Sequence, residues 1–345
     1  MNERLAVVLL NLGGPDRPDA VRPFLFNLFD DPAIIRLPAP WRSLVAWLIA
    51  RRRAPVARAI YDRLGGGSPL LPNTEAQAAA LGRALNDDAL RVFIAMRHWH
   101  PRADATAAAV AAYAPARIVL LPLYPQFSTT TTQSSLDDWA RAARAVGLDV
   151  PTHVVCCYPE AAGFVQATAA LIRPALRAAA AAGRPRLLFS AHGLPERVVA
   201  AGDPYPGQVR RTAAAVAAAL NEPGLDWTLC YQSRVGPLKW IGPSTDQEVR
   251  RAGVDRVPLV VCPIAFVSDH SETLVEIEVE YRHLATQAGV PRFERVPAVG
   301  DHPDFIAALA ALVRGALSRP PGLCSSTGRR LCPADATGCA MRAAA

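Results

Sequence analysis

VVCPIAFVSDHSETLVEIEVEY, residues 260–281, changes character twice. A stiff apolar run stops at Ser268, and Asp269 and His270 follow. Leu274, Val275, Ile277 and Val279 then make much of a helix apolar, while Glu272, Glu276 and Glu280 recur one helical turn apart. A buried strand, a polar loop and a helix, in that order, form one βα unit of a parallel sheet.

The same unit recurs along the chain. Apolar strand-like runs occur at 5–10, 92–96, 118–123, 153–157, 186–189, 227–231 and 257–264. Ala-rich helical segments lie between them, at 74–86, 106–113, 163–182 and 208–220. Such alternation implies parallel sheets covered by helices on both faces. Pro151 follows a Gly-containing turn, which sets a boundary near residue 150. The expected organisation is two Rossmann-like, doubly wound α/β domains, 1–150 and 151–302. Residues 303–345 add a terminal helix around Pro303–Leu317 and a cysteine-bearing tail.

Composition narrows the classes. Of 345 residues, 51% are hydrophobic and 19% charged, so the chain folds around cores. The net charge is +7, but no long Lys/Arg run points to nucleic acid. No stretch approaches the roughly 18 apolar residues of a membrane span. Leu5–Leu10 meets Gly13-Gly14-Pro15 as a strand meets a turn, not as a signal peptide. A cytoplasmic location follows as the expectation, with the seven cysteines reduced.

Ligands of open α/β sheets bind beyond the carboxyl ends of the strands. Those ends carry Arg97 and His98; Tyr124, Gln126 and the hydroxyls Ser128–Thr132; Ser190 and His192; Tyr231–Arg234; and Ser268–His270. Loops are polar in any case, which accounts for the hydroxyls better than for repeated His, Tyr and Arg. An active site built from both domains is expected. The glycine-rich turns at 13–14 and 65–67 fit neither the dinucleotide fingerprint nor the phosphate loop. They are read as close backbone access for a ligand.

The acidic row has two readings. Asp269 as an N-cap with Glu272 at N3 would form a capping box. That leaves Glu276 and Glu280 unexplained, because like charges at i, i+4 cost a few tenths of a kcal/mol each. On a mostly buried helix, carboxylates need cations or protons to neutralise them. A line of them leading to a histidine suits a divalent metal or a proton relay, and a π-bulge would straighten the line. His192, in Ser190-Ala191-His192-Gly193, has room beside its ring and could pair with Glu272 as a base or metal ligand.

Together these motifs resemble the ferrochelatase family, enzymes that insert ferrous iron into a porphyrin. The matching stretches are Leu10–Pro15, Tyr61 with Gly65–Pro69, Leu123–Ser128, Phe189–Pro195, Gly202–Pro206, Tyr231–Pro237, Trp240–Pro243 and Ile264–Leu274, in family order. The resemblance implies the chelatase fold, with Fe(II) and protoporphyrin IX as substrates. It places His192 and Glu272 as catalytic residues, and His192, Glu272, Glu276 and Glu280 as the metal-handling set. It implies Leu12, Tyr61, Ser68, Arg97, Tyr124, Tyr205, Trp240, Asp269 and His270 around the substrate. Among these, Arg97 and Ser68 would anchor the ring or its propionates, and Asp269 and His270 would support the carboxylates.

Trp41–Ile49 followed by Arg51-Arg52-Arg53 suits a surface lying against an anionic membrane, here the inner membrane. A buried amphipathic helix explains the same pattern. In the resemblance this region is a lip over the porphyrin, and a greasy lip favours protoporphyrin over coproporphyrin. Cys324, Cys332 and Cys339 lie in a Gly/Ser/Thr-rich tail with little other reason to fold. Some ferrochelatases hold a [2Fe–2S] cluster on such cysteines plus an internal one. Thr129 replaces the internal cysteine of animal members, so Cys157, or its neighbour Cys156, is the expected fourth ligand. Zinc or no metal remains open, as does a homodimer. The rival activities are a coproporphyrin ferrochelatase, a cobalt chelatase, or a non-catalytic porphyrin or haem carrier.

Overall fold

The computed structural model describes residues 3–234, 236 and 238–344. Val235 and Pro237, within the quoted Tyr231–Pro237 motif, lie outside the described residues. The chain divides into two compact units. The first comprises 1–158, 309–331 and 340–345; the second comprises 159–308 and 332–339.

The first unit runs β1 (Leu5–Asn11), α1 (Val21–Phe29), α2 (Ala39–Asp62), α3 (Leu70–Leu85), β2 (Leu90–Met96), α4 (Ala103–Tyr113), β3 (Arg117–Pro122), α5 (Thr132–Ala145) and β4 (Thr152–Val155). β1 is buried at every position, as the central strand of a parallel sheet should be. Ala46, Ala50 and Ala54 give α2 a buried small-residue stripe, of which Ala50 and Ala54 pack in the cluster holding Val21, Phe24 and Leu25 of α1. Its other face exposes Trp41, Leu44, Trp47 and Leu48, Trp41 by 65%. The buried-helix reading of this stretch therefore fails on that face.

The second unit runs α6 (Ala162–Ala180), β5 (Arg186–His192), α7 (Glu196–Ala200), α8 (Tyr205–Leu220), β6 (Asp226–Gln232), α9 (Thr245–Asp255) and β7 (Leu259–Pro263). A π-helix (Glu272–Tyr281), α10 (Arg282–Ala288) and β8 (Phe293–Arg295) follow. α11 (Pro303–Leu317) begins in this unit, and its later residues belong to the first. β9 (Gly322–Cys324) returns the chain to the first sheet.

Both sheets are parallel throughout, in the orders β2-β1-β3-β4-β9 and β6-β5-β7-β8. Each is covered by helices. The two α/β layers expected from the βα repeat are present, and β8 and β9 are additions that the apolar runs did not reveal. Both are three residues long and lack a run of branched apolar residues. β9 also gives the start of the tail a place in the first sheet. Cys324 pairs beside Val155 and is buried, as is Ser325.

Gly13 and Gly67 are taken up by contacts within the chain, whereas Gly65 has open space beside it. A Cβ on Gly13, at φ +86°, would stand 2.9 Å from the Trp99 backbone nitrogen, and one on Gly67 would stand 2.7 Å from Asp16 O. The close approach that glycine permits here is between two turns of one protein.

Candidate functional site

The second sheet brings its chemistry together at the carboxyl ends of β5, β6 and β7. β5 ends in His192, whose ring is half-buried (39% exposed). β6 ends in Gln232, and Ser233 follows at φ +62°, an uncommon left-handed conformation for a residue with a Cβ. After β7 the chain turns through Ser268–His270 into the π-helix.

These elements join six polar side chains into one network. His192 Nδ1 lies 2.8 Å from Glu272 Oε2. Ser233 Oγ lies 2.8 Å from the same Glu272 oxygen and 2.5 Å from Glu276 Oε2. The Ser233 amide donates to Glu276 Oε1 at 2.8 Å, and the Tyr281 hydroxyl donates to it at 2.9 Å. Gln232 Nε2 donates to Glu276 Oε2 at 3.2 Å and to the Glu272 carbonyl at 3.3 Å.

Electrostatics drive the two carboxyls apart. Burial pushes Glu272 up, but the His192 charge and hydrogen bond, with His270, hold it well below the usual carboxylate range. Burial and then the Glu272 charge push Glu276 up, against bonds from Ser233 and Tyr281. For His192, burial acts downward and Glu272 acts upward, and the upward pull wins. A hydroxyl has one proton, so Ser233 can donate to only one of two ionised carboxylates. The second contact is satisfied when Glu276 is protonated. Neighbouring groups pushed in opposite directions are the arrangement used for acid–base chemistry. With Glu272 ionised, Nδ1 of His192 carries a proton toward it, and Nε2 offers a lone pair when the ring is neutral.

Two expectations about the opening stretch need correction. The helix is a π-helix over its whole length, as the bulge reading anticipated in part, and residues four and five apart share its face. Tyr281, five residues after Glu276, therefore completes the line. Glu280 is exposed and off it. Asp269 is not the N-cap: Ser271 holds that position without a side-chain bond. The Asp269 carboxylate is bound by Arg295 at 3.0 Å and faces the Ala298 amide at 3.3 Å, so it pins the loop. His270 is buried, with Nδ1 3.1 Å from the Ser268 carbonyl and Nε2 3.8 Å from Glu272 Oε1. It stands beside Glu272.

Trp240 stands edge-on to His192, with ring centroids 6.5 Å apart, and its buried indole N–H has no acceptor among the described residues. Tyr205 is buried, and its hydroxyl faces the His192 backbone. An open cavity of about 520 Å³ is lined by Ser233, Arg234, Lys239, Trp240, Glu276 and Tyr281, among others. Tyr281 escaped the sequence reading as a site residue, and Ser233 was named only among the polar groups at the strand ends. The five-residue spacing from Glu276 to Tyr281 was the available signal.

In the first unit, Tyr61 is buried with Phe24, Leu25 and Trp99. Leu12 is half-buried, with its carbonyl accepting from the His98 amide at 2.9 Å. Ser68 Oγ faces the Leu70 amide at 3.3 Å, at the start of α3. Arg97 does not stand open as a propionate anchor. Its guanidinium lies 3.0 Å from Asp31, donates to Ser134 Oγ at 2.7 Å, and lies 3.7 Å from Asp138. The buried Tyr124 hydroxyl, its pKa pushed up by burial, faces Ser135 beside this network.

Cys156 and Cys157 lie just past β4, with thiols 3.5 Å apart, and Cys324 is close enough to feel Cys157. Cys332 and Cys339 belong to the second unit. Cys230 and Cys262 are core residues whose thiols burial pushes up. Among the described residues, no three His, Cys, Asp or Glu side chains are gathered as a ready-made metal site. This holds for the set expected on His192, Glu272, Glu276 and Glu280 as well as for the cysteines.

Two parallel α/β sheets, one ending in a histidine–carboxylate network, describe a chelatase. The ferrochelatase family model matches residues 4–317. A ferrochelatase of Caulobacter vibrioides strain NA1000 is 55% identical over 346 residues, covering 99% of each chain. One of Phenylobacterium zucineum is 57% identical over 343 residues, covering 98% of each. The chain belongs to the ferrochelatase family. In fold it is similar to SirB from Bacillus subtilis (TM-score 0.53, 12% identity, 91% of this chain and 95% of that one). It is also similar to CbiX, the terminal enzyme of sirohaem biosynthesis in denitrifying bacteria (TM-score 0.51, 17% identity, 91% and 99%).

The pKa of His98 gives a stability test. Burial, then the charges of Arg97 and Arg102, hold this ring well below its ordinary value. Its folded pKa lies under its unfolded one, so the stability it contributes is complete above about pH 6.5 and is lost as pH falls. Chemical denaturation of the parent and of His98→Phe between pH 7 and 5 should show the variant's stability falling less steeply, by up to about 1.4 kcal/mol per pH unit. Parallel slopes would contradict the assignment.

Proposed function

We propose that this chain inserts Fe(II) into protoporphyrin IX, yielding protohaem and releasing two protons. The observation that carries the reading is the His192–Glu272–Ser233–Glu276 network. Insertion removes both pyrrole protons and strips water from iron, so it needs a base near neutral pH and nitrogen or oxygen ligands. Nε2 of His192 is the base that meets the ring, oriented by Glu272. Glu272 and Glu276, tied through Ser233, receive charge from the metal side. Trp240 and Tyr205 shape the wall beside the histidine.

The apolar stripe of α2, with Arg51 and Arg52 exposed beside it, supports peripheral contact with an anionic membrane. Arg22 and Arg51 lie 5.8 and 5.5 Å from the Trp47 ring centroid, holding cations at that surface. Among the described residues, no helix is long and apolar enough to cross a membrane. The same greasy surface favours the less polar ring over coproporphyrin.

Under strict exclusion of oxygen, the parent should quench protoporphyrin fluorescence on addition of Fe(II) and shift the Soret band. His192→Ala should bind the porphyrin and lose insertion by about a thousandfold or more. Porphyrin binding without turnover in the parent would instead favour a carrier.

We assign a [2Fe–2S] cluster to Cys157, Cys324, Cys332 and Cys339. The donor set fits in kind: four free thiols, of which Cys157, Cys324 and Cys339 are buried and Cys332 half-buried. Bound, the cluster would supply a redox-active centre tying the tail down, and no step of insertion is routed through it. Protein purified without oxygen should contain about two iron and two acid-labile sulfide per chain, with visible absorption that Cys339→Ser removes. Iron or zinc without sulfide, or no metal at all, would refute this.

A further inference from the structure

In the second unit the tail returns over Cys332–Cys339 and docks on a single loop. The Gly338 amide donates to Gly202 O at 3.0 Å, and Thr337 Oγ1 donates to Ala201 O at 3.1 Å. Gln208 Nε2 donates to Cys332 Sγ at 3.2 Å. The fit leaves no room for a side chain on either glycine. Gly202 has φ +91°, and a Cβ there would collide with Thr337 Oγ1 and lie 2.9 Å from the Thr337 nitrogen. A Cβ on Gly338 would stand 2.9 Å from Gly202 O.

The clamped loop leads to the site. Asp203 Oδ1 accepts from the Tyr205 amide at 3.0 Å, fixing the entry to α8. The Tyr205 side chain is 7% exposed and packs in the core with Ala191, Leu194, Val198 and Tyr231. Its hydroxyl faces the backbone of His192 and senses the charge of Glu272. Tyr205 therefore sits under the end of β5, the strand that presents the histidine. The contact chain is Thr337–Gly338, Gly202–Asp203, Tyr205, His192. A loop held by a few hydrogen bonds belongs to the low-stability end of a structure, and what clamps it sets its position. Catalytic side chains need that support, because small displacements lower rates steeply.

We propose that the tail segment Cys332–Cys339 is a positioning element of the metal-insertion site, clamping the Gly202–Tyr205 loop so that Tyr205 holds the end of β5 and orients His192. This rests on the function proposed above. It assigns the work to the backbone and hydroxyl contacts of Thr337 and Gly338, whatever the neighbouring cysteines bind.

Gly338→Pro tests it without touching a cysteine or a site residue. Proline removes the amide that bonds Gly202 O and adds a ring where a Cβ alone is too close. Amide hydrogen exchange across residues 199–206 reports whether the tail has left the loop. Zn(II) and Fe(II) insertion into protoporphyrin IX reports the site. The expected result is faster exchange in 199–206, kcat lower by about tenfold, and KM for the metal within about twofold. A thermal midpoint within about 3 °C of the parent would separate misplacement from general instability. Faster exchange with kcat within twofold of the parent would overturn the proposal. If Gly338→Pro does not fold, Gly338→Ala, whose Cβ meets Gly202 O, is judged by the same two outcomes. A parent that inserts no metal would refute the functional reading itself, a result distinct from equal rates in parent and variant.

Discussion

One serine hydroxyl holds two carboxyls together. Ser233 Oγ reaches Glu272 Oε2 at 2.8 Å and Glu276 Oε2 at 2.5 Å, and the same Glu272 oxygen meets His192 at 2.8 Å. Two acids joined through one hydroxyl do not ionise alike: His192 holds Glu272 low, while burial and the Glu272 charge push Glu276 up. The rest of the site serves that constraint. Gln232 and Tyr281 satisfy the remaining Glu276 lone pairs, and His270 supports Glu272 from behind. The left-handed backbone at Ser233 aims both its amide and its hydroxyl at the acids.

The fold makes the arrangement possible by ending three parallel strands at one place. β5 supplies the histidine, β6 supplies Gln232 and Ser233, and the turn after β7 supplies the helix of acids. Parallel strands gather their carboxyl ends on one edge, and loops there are free to differ while the sheet stays rigid. The Asp269–Arg295 pair fixes the turn, so the carboxylates approach His192 from a defined direction.

Much of this was legible in the sequence, and the omissions have physical causes. The strand runs and their polar ends were clear because buried parallel strands are nearly continuous in branched residues. His192 and Glu272 could be named from residue type and position, and the structure places them in contact. A π-bulge was suggested by the row of acids, but not a π-helix of 10 residues. Glu272, Glu276 and Glu280 share one spacing, and nothing in it shows that Glu280 is exposed. Glu280 falls outside the network and Tyr281 falls inside it. Asp269 was credited with a capping role because nothing in sequence announces Arg295, twenty-six residues away, as its partner. Arg97 looked available for the same reason: Asp31 is distant in sequence and adjacent in space. Short β9 lacked any run of branched residues, and its pairing with β4 comes from tertiary structure alone.

Membership of the Ser233 network, not the four-residue spacing that Glu272, Glu276 and Glu280 share, decides which carboxylates serve metal insertion. Initial rates of Fe(II) insertion into protoporphyrin IX, measured side by side without oxygen for Glu276→Gln and Glu280→Gln, test it most directly. The account predicts a rate about a hundredfold lower for Glu276→Gln and a rate within about twofold of the parent for Glu280→Gln. Equal losses in both variants, or a loss confined to Glu280→Gln, would contradict it.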